Sequence, residues 1–185
     1  MNKQIQNSDI ELLKKAGVPQ DDIAHCIKVA EKALEIAART GAKLDMKLIA
    51  EGALFHDLGK ARTSDIEHGL IGAEIGKDMG LTKKVTDIMQ KHIRGGLSEE
   101  EARELGLPVK DYSLNTLEEK IIVYADRLVD IITDGIVDIE GDEATAERRF
   151  EKILREYPKY GKNYKTMNRY FRYHHEIQGL IKKKA

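Results

Sequence analysis

The chain has 185 residues, 41% of them hydrophobic and 34% charged, with a formal net charge of -1. That length suits one domain with short additions, and that balance is typical of a globular protein and too apolar for a disordered one. The uncharged apolar stretches are far shorter than the ~20 residues that span a bilayer, and the opening MNKQIQNSDIE lacks the apolar region of a secretory signal, so a cytoplasmic location without a membrane partner is expected. The lone Cys26 cannot pair internally, and beside Ile27 on an apolar helix it reads as a small buried hydrophobe.

The near-neutral total hides an asymmetry. From Arg148 to the end there are 12 Lys and Arg against 3 Asp and Glu, so this segment carries +9 and residues 1–147 carry -10. The same segment holds 7 of the 10 aromatic residues, interleaved with cations that include Lys162, Arg169 and Arg172. Aromatic faces and cations together could extend a site toward a nucleotide or a single strand. The preferred reading is a helical extension whose aromatic face docks on the acidic part of the chain, with nucleic acid as a disfavoured partner.

In chain order, Ser8 and Glu11 form a capping-box pattern before a short helix ended by Gly17. A second helix runs from Pro19 to about Arg39, with Ile23, Ile27, Ala30, Leu34 and Ala37 at helical spacing and Gly41 as its stop. A third, apolar nearly all round, starts near Asp45, delivers His56 and Asp57, and stops at Gly59. Further helices are predicted at about Ile66–Met79, Leu81–Lys91, Thr116–Asp134, Glu143–Glu156 and Lys165–Lys182. Residues 95–115, with two glycines, a proline and one short helical stretch at Ser98–Leu105, read as an excursion suited to a lid hinged at Gly95 and Gly96. No strand-like alternation competes, so an all-α protein is expected, with residues 1–141 as the main domain and residues 142–185 as an extension packed on it.

Asp126 falls among Ile122, Ala125 and Val129, positions that should face the core, where a bare carboxylate is costly without hydrogen bonds, a cation or a metal. His56 and Asp57 end a buried helix, and His25 lies between apolar Ile23 and Val29 on another. Each alone is more often a satisfied core polar group than a ligand. Together, His25, the run Leu54-Phe55-His56-Asp57-Leu58-Gly59-Lys60 and Tyr124-Ala125-Asp126-Arg127 resemble the HD-domain superfamily of metal-dependent phosphohydrolases over about Ile23 to Asp130. The text resembles small stand-alone HDIG-type members of archaea and bacteria. No Gly-Tyr-Pro follows the His92 region, and no Glu-Asp pair of the alarmone-hydrolase kind follows the HD doublet.

The resemblance implies an HD-type helical bundle and a metal site made by His25, His56, Asp57 and Asp126. The intervening His68 and His92 are similar to those of the subset that holds two ions, with Asp57 bridging them. Ligation by imidazole and carboxylate without thiolate suits iron, manganese, zinc, cobalt or nickel, with magnesium also compatible, and the resemblance to the two-ion subset implies iron or manganese. The implied activity is hydrolysis of a small phosphate ester, with a nucleotide as the expected partner, and a homo-oligomer remains open. Asp57 and Lys60 would act in catalysis, while Lys60, Arg94 and Arg127 would hold the phosphate. Asp130 would support the site or pair with Arg127. The same ligand order also serves mixed-valent di-iron oxygenases of this superfamily, and a non-catalytic nucleotide-binding module is the third possibility. His174 and His175, outside the motif, read as surface or packing residues.

Overall fold

Wherever the apolar residues recur at helical spacing, the chain is helical. The structure, a computed structural model, describes residues 4–137 and 143–184. Among these there are ten α-helices, two single tight turns of helix and no strand. The expected boundary at residues 141 and 142 lies outside the described residues.

Three helices make the centre: α2 (Gln20–Thr40), α3 (Met46–Phe55) and α7 (Leu117–Thr133), each packed against the other two. The apolar text of α3 explains its place, because Ile49, Ala50, Ala53, Leu54 and Phe55 are all buried and only a narrow strip at Lys47 and Glu51 meets water. Of its neighbours in sequence, α1 (Asn7–Ala16) and α5 (Lys83–Lys91) close over this layer, and α4 (His68–Asp78) packs on α5 and on the tight turn that follows α3. The first helix begins earlier than the capping pattern at Ser8 predicts. The amides of Asp9 and Ile10 bond to the carbonyl of Gln6, so Ser8 already lies in the first turn.

The excursion after His92 is not a hinged lid. Ile93, Leu97, Ala102, Leu107 and Tyr112 build a small core of their own around α6 (Glu99–Glu104), which Ser98 and Glu101 cap reciprocally. The last helix then pins the segment in place. Arg169 donates to the Arg94 carbonyl at 2.9 Å and pairs with buried Glu101, while the Tyr173 hydroxyl donates to the Gly95 carbonyl at 2.9 Å. Both proposed hinge glycines are packed: an added Cβ would meet the Tyr170 ring at Gly95 and the Tyr112 carbonyl at Gly96.

The basic extension forms α8 (Glu143–Glu156), the short α9 (Pro158–Gly161) and α10 (Tyr164–Lys184), of which α9 is not evident in the sequence. Most of its aromatic residues face the bundle, with Phe150, Tyr160 and Tyr170 fully buried and Phe171 and Tyr173 nearly so, whereas Tyr164 is exposed. Several of its cations pair across the junction, among them Lys159 with Asp134 and Lys165 with Glu100. His174 is a packing residue, stacked on Phe150 and bonded to the Tyr124 hydroxyl at 2.8 Å, whereas His175 is exposed against Glu151.

Glu147 ties α8 to α2 through a two-pronged pair with Arg39, at 2.7 and 2.9 Å, and it also accepts from Gln178 of α10. Burial would raise its carboxyl, but these partners hold it below its ordinary value. A carboxyl lowered in the folded state contributes stability above its unfolded value of about 4.5, and that contribution is lost as pH falls through the lowered one. Glu147→Gln should therefore cost about 1 kcal/mol at neutral pH. In urea melts, the gap between variant and parent should close below about pH 4.

Candidate metal centre and phosphate cleft

The site gathers at the end of α3. His56 continues the helical geometry, Asp57 turns out of it, and a single tight turn, Leu58–Ala61, follows at once. That turn lies against the start of α4 more closely than any side chain allows. A Cβ on Gly59 would stand 1.9 Å from the His68 carbonyl oxygen and 2.7 Å from the Gly72 amide nitrogen. The same economy joins α4 to α5, where a Cβ on Gly69 would stand 2.6 Å from the Met89 carbonyl oxygen. Absent side chains at these two points let the backbones meet, and His68 and His92 reach Asp57 as a result.

All six residues expected as ligands come together. One Asp57 oxygen lies 3.1 Å from His68 Nε2 and 3.3 Å from His92 Nε2, and the other lies 3.4 Å from His56 Nε2. Asp126 Oδ1 is 3.0 Å from His25 Nε2 and 3.5 Å from His56 Nε2. Asp130, one turn further on, is 4.0 Å from the other nitrogen of His25 and pairs with Arg127 at 3.1 Å.

The hydrogen bonds assign the imidazole tautomers. His56, His68 and His92 each direct Nδ1 to a backbone carbonyl, of Ala53, Asp65 and Met89, at 2.6, 2.6 and 2.7 Å. Those nitrogens carry the proton, and every Nε2 turns a lone pair toward the carboxylates. His68 Nε2 and His92 Nε2 stand 3.0 Å apart with no proton to share, and buried His56 Nε2 has no hydrogen-bond partner. Lone pairs crowded in this way need a cation among them, and the carbonyl bonds that fix the rings are those usual behind metal-binding histidines. The donor set thus fits divalent metal in two adjoining groups, His25, His56 and Asp57 on one side and Asp57, His68 and His92 on the other.

The charges agree with a site built for cations. Burial would raise Asp57 and Asp126, but the imidazoles around them hold both well below the usual carboxylate range. Burial lowers His92 below its ordinary value, in keeping with a ring that carries only its Nδ1 proton. Asp130 is pushed up to about 6, first by burial and then by the Asp126 charge.

Around these groups opens a cleft of about 390 Å³, within the size range of small-molecule sites. Lys60, Arg94, Arg127 and Lys162 line it. Lys60 sits 2.6 Å from Asp57 and 2.9 Å from Asp22, and these carboxylates outweigh burial to raise its amine. Arg127 is buried against the Tyr170 ring and bonds its hydroxyl at 3.3 Å. Asp22 is not signalled by the sequence pattern, whereas Lys162 is among the C-terminal cations that could extend a site toward a nucleotide. Asp22 lies one turn before His25 on α2, while Lys162 arrives from a distant part of the chain.

An all-helical bundle with carboxylate and imidazole groups at the end of its central helix defines a class of helical metal-site proteins. The HD domain model matches residues 22–129, and the chain belongs to that family. Among its relatives is an uncharacterised protein of Methanocaldococcus jannaschii, 40% identical over 163 residues, which cover 86% of this chain and 89% of that one. The tRNA (cytidine(56)-2'-O)-methyltransferase of Picrophilus torridus is 44% identical over 96 residues, covering 52% of this chain but only 28% of the enzyme. The crystal structure of the HD domain of the L. monocytogenes phosphodiesterase PgpH in complex with cyclic-di-AMP superposes with a TM-score of 0.61 over 94% of each chain, at 19% identity. At that identity the likeness is one of fold.

If close approach at Gly59 is what brings the two halves of the site together, Gly59→Ala should cost about 3 kcal/mol, since its clash is with backbone that cannot turn aside. Metal content should fall with it. Gly179→Ala on α10, where an added Cβ meets nothing, should be neutral or stabilising by up to about 1 kcal/mol. Thermal melts with elemental analysis of the two variants check the contrast.

Proposed function

We propose that this protein is a metal-dependent phosphoester hydrolase acting on a nucleotide or a related small phosphate ester. One observation carries the reading: a buried carboxylate, Asp57, faces His56 with one oxygen and His68 and His92 with the other, beneath a cleft lined by four cations. The phosphodiesterase of similar fold, crystallised with a cyclic dinucleotide, supports it.

In this reading His25, His56, Asp57 and Asp126 hold one ion, and Asp57, His68 and His92 hold a second. Divalent ions there would polarise the phosphate, lower the pKa of a water and stabilise the attacking and leaving oxygens. The residues of the chain supply the rest. Carbonyls of Ala53, Asp65 and Met89 hold the imidazoles to one tautomer and orientation. Lys60, already bonded to Asp57 and Asp22, orients the Asp57 carboxylate and offers its remaining proton to a non-bridging phosphate oxygen. Arg127 is held by Asp130 and Tyr170, so its guanidinium is ordered before substrate arrives, as a phosphate clamp requires. Arg94 lines the same cleft and would meet the substrate beside this clamp.

The assignment predicts a graded response. Asp57→Ala should abolish bound metal and phosphate release together while the circular dichroism stays helical. His68→Ala and His92→Ala should each lower metal stoichiometry from about two to about one. Phosphate release from a panel of nucleotides and an aryl phosphodiester, followed together with oxygen uptake, should show release without uptake. Full metal content and turnover in Asp57→Ala would sink the assignment, and oxygen uptake without phosphate release would move the protein to the oxygenase branch.

A further inference from the structure

Among the described residues two other than glycine have positive φ, Arg94 at 50° and Lys162 at 60°. Both line the metal cleft. Such backbone is costly for a residue with a side chain, and it persists where the surroundings impose it, often at functional positions.

Lys162 is constrained on each side. Its amide donates to the Pro158 carbonyl at 2.8 Å, closing α9. Gly161 before it lies so near the Leu154 carbonyl that a Cβ would stand 2.2 Å from the oxygen. Asn163 after it accepts from the Thr166 amide at 2.8 Å and so starts α10. With ψ at -83°, Lys162 lies outside even the small left-handed region open to ordinary residues. Local packing holds the turn, yet nothing in that packing calls for a lysine.

The charge around it supplies a reason. Lys60 and Arg127 have acidic partners, Asp57 and Asp22 for the first and Asp130 for the second. Neither Arg94 nor Lys162 has one at ion-pair distance among the described residues. Partial burial, together with Arg127 and Arg94, lowers the Lys162 amine below its ordinary value, although Asp130 opposes this. Unpaired cations gathered beside one another on a cleft wall are favourable when an anion joins them.

We propose that Lys162, supplied by the C-terminal extension beyond the HD match, forms with Arg94 a rim subsite that binds a second phosphate group of the substrate. The inference rests on the phosphoester reading above and narrows it. The substrate class is a compound with two phosphates, either adjacent as in a diphosphate or separated by a sugar. The metals and Lys60 take the phosphate to be cleaved, and the rim pair takes the other. Residues 22–129 alone would lack this selectivity, because Lys162 lies outside them.

The test is calorimetric titration of the full-length, manganese-loaded protein with three inert probes: methylphosphonate, methylenediphosphonate and propane-1,3-diphosphonate. One diphosphonate should bind at least about tenfold tighter than methylphosphonate, and which one does reports the spacing of the two phosphates. Lys162→Gly and Lys162→Gln should each remove at least about fivefold of that preference, and Lys162→Arg should restore it. Glycine relieves the positive φ, so Lys162→Gly should melt no lower than the parent. Absence of a diphosphonate preference in the parent, or its survival in Lys162→Gly and Lys162→Gln, would overturn the subsite and leave the hydrolase reading standing. Failure of all three probes to bind would overturn both. A lower melting temperature with equal weakening of all three probes would make Lys162 a structural residue and overturn the subsite as well.

Discussion

The structure depends on a buried negative charge. Asp57 is almost wholly enclosed, and a carboxylate in that position is tolerated only when its oxygens are fully engaged by donors or cations. Three imidazoles and the Lys60 ammonium converge on it from the end of α3, from α4, from the end of α5 and from the following turn. Asp126 repeats the arrangement on a smaller scale with His25 and His56. Five helices are therefore bound at one end by interactions that only a cation makes favourable. The apolar residues of α3 fill the rest of the bundle behind that end.

Such convergence demands unusually close backbones, and the glycines beside the motif meet that demand. Gly59 follows the HD pair because the turn it sits in lies on the first residue of α4, and Gly69 lies directly on the carbonyl that orients His92. The short motif is thus two devices superposed, ligands for charge and an absence of side chain for approach. Neither works without the other.

The C-terminal extension belongs to the site as well as to the fold. Its buried aromatic face explains the cluster of Tyr and Phe, and its Arg169 and Tyr173 hold the segment after His92 against the bundle. Tyr170 reaches Arg127 from behind, and Lys162 reaches the cleft rim in front. The wall of the cleft is accordingly packed where a hinge was expected. Glycines in a surface segment read as hinges, but at Gly95 and Gly96 they serve close contact with Tyr170 and with the Tyr112 backbone.

Helix placement followed from the sequence because apolar periodicity and capping are local, and they put nearly every element where it is found. The six candidate ligands were also legible, since their order along the chain and the text around His56 and Asp57 carry the resemblance to the HD family. Only the tertiary structure decided how their charges are arranged: which Asp57 oxygen faces which ring, that three Nδ1 atoms are committed to carbonyls, and that Asp22 shares Lys60 with Asp57. It alone also decided that the excursion folds on itself, that α9 exists, and that Lys162 comes to the site. The physical reason is the same in each case. Periodicity reports whether a residue faces the core, but contacts between segments a hundred residues apart depend on helix packing, and a strained turn such as that at Lys162 is imposed by neighbours with no local signature in the sequence.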